Sequence, residues 1–152
     1  MKSLKPSFRF ADDIALISIH PEYVEKIIAG EKNVEFRRRW PNRVISTLVI
    51  YATSPVKRLA AVVEITEVIR ASKSSLWRIS SDEGGGITRQ RLFDYLDGKT
   101  LGIALKLGKR LPLDDGLLPH EVFGAPFHAP QSYRYLTEDE KNALRRCMEA
   151  TR

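Results

Sequence analysis

Short apolar runs rich in β-branched residues, each bounded by turn residues, constrain this fold more than any other feature of the chain. Residues 14–19 (Ile-Ala-Leu-Ile-Ser-Ile) and 47–52 (Thr-Leu-Val-Ile-Tyr-Ala) are six residues each, a length that suits a buried strand and is too short for a buried helix. Residues 58–68 read as a longer strand, with Glu64 inside the run 60–65. Alternation there puts Val62, Glu64 and Thr66 on one face, so Glu64 belongs to a half-exposed polar face rather than to a cavity. A further strand over 100–107 carries Leu101, Ile103, Leu105 and Leu107 on one side.

Helical patterns lie between these strands. His20-Pro21 opens a helix whose apolar stripe is Tyr23, Val24, Ile27 and Ile28, with Gly30 as its stop. A short helix is expected over 72–79 and another from the Thr88 cap to about Leu96. Thr137-Glu138-Asp139-Glu140 matches the capping box, and a last helix runs to about Ala150 with Leu144, Cys147 and Met148 inward. Residues 109–131 hold four of the eight prolines and two of the nine glycines, so an irregular segment is expected. The organisation is then a loose tail over 1–13, one domain over 14–136, and a C-terminal helix over 137–152 packed on it. The expected class is α+β: five or six mostly antiparallel strands in a small sheet or barrel decorated by helices.

Charge enters the argument at residues 30–39, Gly-Glu-Lys-Asn-Val-Glu-Phe-Arg-Arg-Arg. From Lys26 to Arg43 there are six basic and two acidic residues, a local +4 within a whole-chain net charge of +6. Such a concentrated field favours a polyanionic partner, nucleic acid above all. Val34 and Phe36 point to one side of the expected strand; Glu35, Arg37 and Arg39 point to the other, with Arg38 facing away. Arg37 and Arg39 supply two-pronged contacts to phosphate, and Glu35 can accept from a base amino group or simply pair with Arg37. Trp40 offers a stacking surface or a core side chain. Lys32 is a turn lysine, or a cleft lysine whose pKa falls on burial so that it can act as a base.

Other signals are weaker. Ser54 sits in a Thr-Ser-Pro turn with no nucleophile elbow around it. Gln131-Ser132-Tyr133-Arg134-Tyr135 interleaves polar and aromatic residues, a composition able to read a nucleotide or to form an edge strand. His20, His120 and His128 have no metal-ligand spacing with Cys147, the single cysteine, so no metal and no cofactor are expected. Gly84-Gly85-Gly86 lacks the Lys-Ser/Thr of a phosphate-binding loop and reads as a hinge or flexible loop. No apolar run approaches the ~20 residues that span a bilayer. The expected location is the cytoplasm, and the oligomeric state stays open.

The order strand, helix, Gly-x-Lys-x-x-Glu-x-Arg, here Gly30, Lys32, Glu35 and Arg37, resembles the ASCH domain family. The flanking Ile17-Ser18-Ile19-His20-Pro21 and Tyr51-Ala52-Thr53-Ser54-Pro55 also resemble it. The resemblance implies a PUA-like β-barrel and a cleft that takes RNA, a nucleotide or a modified nucleoside. It places Lys32, Glu35 and Arg37 at that cleft, with Ser132 and Arg134 near it; Arg39 and Trp40, which continue the strand, and Ser54 join them as ligand-binding candidates. One branch of the family is similar in using a motif lysine, a threonine three residues later and a later glutamate to hydrolyse N4-acetylcytidine. Lys32 matches the lysine and Glu83 the later glutamate, but Glu35 stands where that branch has threonine. Enzyme and binder therefore both stay open: an RNA-binding or nucleotide-sensing module, an amidohydrolase using Lys32, Glu35 and Glu83, or a protein-interaction module for an acidic partner.

Overall fold

A computed structural model describes residues 7–150. The strands are β1 (Asp13–Ile19), β2 (Val34–Arg37), β3 (Ile45–Ala52), β4 (Arg58–Ala71), β5 (Gly102–Leu117) and β6 (Tyr133–Tyr135). The helices are α1 (Pro21–Ile28), α2 (Lys73–Glu83), α3 (Arg89–Tyr95), α4 (Pro119–Phe123) and α5 (Glu138–Ala150). One mixed sheet runs β2-β5-β4-β3-β1-β6. Every pairing among the described residues is antiparallel except β1 with β3. That parallel pair is joined through α1 and β2, because parallel neighbours need a crossover. Register shifts along the β4–β5 ladder bend these two long strands, and the sheet curls into a partly closed, PUA-like α+β barrel.

Both faces of the central strands are buried, which is why their sequences read as unbroken apolar runs. Ala15, Ile17, Leu48, Ile50 and, from β5, Leu105 pack with Val24 and Ile27 of α1. Ile14, Leu16, Val49 and Val62 pack the other way, against Leu144 and Met148 of α5. A third cluster sets Val34, Phe36 and Ala104 against Leu76, Leu92 and Leu96 of the α2–α3 layer. Cys147 is only half-buried, while Leu144 and Met148 are inward as expected. The capping box forms as the sequence implies: Glu140 N–H donates to Thr137 Oγ1 at 3.2 Å, and Thr137 N–H to Glu140 Oε1 at 2.9 Å.

Two expectations are corrected. The segment 109–131 is not irregular throughout, because β5 continues to Leu117 and α4 follows it. Leu111 and Leu113 are buried on one side, and Pro112 is tolerated because β2 pairs only with residues 103–106 of β5, leaving Pro112 on an open edge. Strand β5 also begins at Gly102 rather than at Thr100, so Leu101 is exposed and not part of the inward row. Ahead of β1, Phe8 and Phe10 lie against the second cluster, and the buried Lys141 amine donates to the carbonyls of Phe10 and Asp12.

Candidate functional site

Strand β2 has all four residues buried, but its two sides differ in kind. Val34 and Phe36 enter the α2–α3 cluster. Glu35 and Arg37, on the other side, floor a cleft of about 640 Å³ together with Lys32. Lys32 is 2% exposed, Glu35 7% and Arg37 8%. Charged groups this deep are costly unless paired. Glu35 lies between the two cations, with Lys32 Nζ 3.6 Å from Oε1 and Arg37 Nη1 3.2 Å from Oε2. Arg37 Nη2 donates to Ser132 Oγ at 2.7 Å, while its buried Nε–H has no protein partner among the described residues.

Lys32 is held on every side. Its amine donates to Gly85 O and lies 5.2 Å and 5.4 Å from the ring centres of Tyr23 and Phe36. Burial pulls its pKa below the ordinary lysine value, and the Glu35 carboxylate offsets this only in part. Burial likewise raises the phenols of Tyr23 and Tyr95, so both stay protonated donors on the cleft wall.

The rim is basic. Arg38, Arg39 and Arg91 line the mouth and are exposed. Arg38, expected to face away, is turned onto this rim by bonds from Nη1 to the carbonyls of Tyr95 and Asp97 at 2.7 and 2.9 Å. Arg91 reaches from α3 to Glu22 of α1, Nη2 to Oε1 2.9 Å, over the Tyr23 ring.

The structure thus brings Lys32, Glu35, Arg37, Arg39 and Ser132 to one cavity. Four other residues expected at the cleft lie elsewhere. Trp40 is a core side chain, its ring centre 4.8 Å from that of Tyr133, because β2 ends at Arg37 and the chain turns inward. Ser54 is exposed on the β3–β4 turn. Arg134 is committed to Glu140, Nη1 to Oε1 and Nη2 to Oε2 both 2.9 Å, at the start of α5. Glu83 pairs with Lys106 of β5 at 2.9 Å, outside the cleft lining. Glu64 is half-buried, as its strand face implied, and accepts from Lys109 N–H at 3.2 Å, also away from the cleft. Sequence reasoning missed His20, Tyr23, Arg91 and Tyr95 as lining residues, whereas Gln131 lies in the segment read as able to meet a nucleotide. The one available signal is the His20-Pro21 junction, where a strand hands over to a helix.

Comparisons with known proteins agree with this fold. Residues 17–84 match the ASCH domain. An ASCH domain-containing ribonuclease of Zymomonas mobilis subsp. mobilis is 32% identical over 132 residues, 86% of this chain and 88% of that protein. The crystal structure of ASCH from Zymomonas mobilis superposes with a TM-score of 0.76 at 32% identity, covering 88% of this chain and 94% of that one. A serine-to-alanine variant of the Zymomonas protein gives 0.79 at 30% identity, covering 91% and 96%. No helix among the described residues is long and apolar enough to cross a membrane.

Proposed function

Because this chain belongs to the ASCH domain family, we propose that its cleft binds RNA and cleaves it. The observation that carries this reading is the buried row Lys32–Glu35–Arg37 under a rim of exposed arginines. The ribonuclease name of the Zymomonas relative supports it. Rim arginines gather phosphates by charge, and Tyr23 and Tyr95 give a nucleoside apolar walls with hydroxyl donors.

The chemistry follows from the floor. A lysine with a depressed pKa is a base, and Lys32 is the cleft group so tuned. Its neutral amine takes the proton of a ribose 2′-hydroxyl. The freed oxygen attacks the neighbouring phosphorus, and the 5′-oxygen leaves, taking a proton from water at the open mouth. The products are a 2′,3′-cyclic phosphate and a 5′-hydroxyl end. Glu35 balances the ammonium that Lys32 becomes, 3.6 Å away. The unpartnered Arg37 Nε–H is a preorganised donor for charge gathering on the phosphoryl oxygens, and Ser132, accepting from Arg37, has its own hydroxyl hydrogen to lend.

The test is a short end-labelled RNA and the same strand with one 2′-deoxy position. Cleavage is expected at every site but the deoxy one, with binding that weakens steeply as salt rises. Equal cutting of DNA, or no binding and no cleavage at low salt, overturns the reading. Hydrolysis of N4-acetylcytidine is the control reaction: it needs Glu83 as the later glutamate, and Glu83 is tied to Lys106.

A further inference from the structure

We propose that the triple glycine 84–86 is a strap that positions Lys32, with Gly86 as the positioning residue that seals its side chain from water and aims its amine at Glu35. The proposal rests on the reading of Lys32 as the proton acceptor. The sequence pattern reads this triplet as a flexible loop; in the structure each of the three glycines has a separate packing reason to be glycine.

Gly84 ends α2 with φ +82°, and its carbonyl accepts from Asn33 N–H at 2.6 Å, which fixes the strap to the residue after Lys32. Gly85 lies flat on the last turn of α2, where any Cβ would overlap the Ser80 hydroxyl, and its carbonyl takes the Lys32 amine. Gly86 has φ +63° and crosses the lysine stem; a Cβ there would sit 2.9 Å from Lys32 Cβ and 3.1 Å from Cγ. Its carbonyl accepts from Lys26 Nζ at 3.4 Å, so two lysines grip successive carbonyls of one strap. Close approach of backbone to side chain is the use of glycine that no other residue can supply.

The strap forms one wall of the lysine's enclosure. The charged and titratable groups on the other walls are Tyr23 and Lys26 of α1, Glu35 of β2, Arg91 of α3 above Tyr23, and Arg110 of β5, which holds the Lys32 carbonyl at 2.9 Å. Burial is the first cause of the depressed lysine pKa, and the strap supplies part of that burial.

The experiment follows the Lys32 side-chain nitrogen by NMR across pH, in wild type, Gly86→Ala, Gly98→Ala and Ser80→Thr. Gly98 also has positive φ, +79°, with nothing near a would-be Cβ, so Gly98→Ala carries the backbone strain without touching Lys32. In wild type Lys32 should titrate below an ordinary lysine. Gly86→Ala should move its midpoint up, and Gly98→Ala should not. Ser80→Thr, which presses on the strap from α2, should move it up by less and keeps the question answerable if Gly86→Ala does not fold. RNA cleavage by Gly86→Ala should fall about tenfold at neutral pH and recover at alkaline pH, the signature of a base that gives up its proton later. An ordinary wild-type Lys32 midpoint, an unmoved midpoint in the strap variants, or an equal shift in Gly98→Ala overturns the strap. A depressed midpoint that moves as expected in a protein that cuts no RNA leaves the strap standing and removes the ribonuclease reading instead.

Discussion

Two Arg–Glu pairs built from the same chemistry meet different fates in this molecule. Arg134 and Glu140 form a two-pronged pair, both contacts 2.9 Å, and Glu140 also accepts the Thr137 N–H that starts α5. Glu35 and Arg37 share a single 3.2 Å contact; Glu35 also faces Lys32, and Arg37 Nε–H is buried without a protein partner among the described residues. The first pair is saturated and partly solvated, so its worth is structural. The second is desolvated and incompletely bonded, so it has a donor left for a ligand. Saturation, more than residue type, separates a fold-holding ion pair from a cleft-forming one.

Cutting the buried pair gives the largest expected effect. Glu35→Ala leaves the buried Arg37 guanidinium without its carboxylate and should cost about 3 kcal/mol of stability, along with RNA cleavage, measured by denaturant titration and by the RNA assay. Glu35→Gln, which keeps the shape, should recover part of the stability and none of the cleavage. An unchanged unfolding midpoint in Glu35→Ala would mean the cleft floor is not a desolvated charge cluster.

The arginines sharpen the contrast. Arg37→Lys keeps a charge but loses the Nε and Nη2 donors, so RNA affinity should fall roughly tenfold to a hundredfold with little change in melting. Arg134→Ala should do the opposite, lowering stability by about 1 kcal/mol through the loosened α5 start while RNA affinity stays the same. Loss of affinity in Arg134→Ala alone would return that residue to the cleft where the family resemblance puts it.

Rim charges should give smaller, additive losses. Arg38→Ala, Arg39→Ala and Arg91→Ala should each weaken RNA binding a few-fold and lower the salt slope by about one, because each removes one phosphate contact. A slope that does not move would place the strand elsewhere on the surface.

How much of this is legible in the chain follows from the same physics. The strands β1, β3 and β4 announce themselves through β-branched runs, since both of their faces are buried. The motif at Lys32, Glu35 and Arg37 is contiguous, so alternation alone puts the two strand residues on one side. The far end of β5 is hidden because Pro112 and Gly116 read as breakers; the open edge beside β2 admits Pro112, and a register shift with φ +78° accommodates Gly116. Tyr23, Arg91 and Tyr95 reach the cleft from two helices that lie apart in sequence, and no local pattern says which helix face meets which strand. Trp40, Arg134 and Glu83 read toward the cleft because each stands near a cleft residue in sequence or matches a family position. Their partners Tyr133, Glu140 and Lys106 lie on other segments and turn them away.

The smallest expected effect is a pH dependence confined to the structural pair. Burial alone would raise the Glu140 pKa, but the bonds from Arg134 and from Thr137 N–H outweigh it, and the folded value lies below the ordinary carboxylate value. A carboxylate depressed in the folded state contributes its full stability above the unfolded pKa and loses it as pH falls through the folded one. Glu140→Gln should therefore melt below wild type at neutral pH, and the gap should close on acidification below about pH 4. The group is partly solvated, so the gap should also narrow in high salt. A gap that persists unchanged into acid would mean that the cap's geometry, and not its charge, sets the start of α5, and the saturated pair would then hold the fold by shape alone.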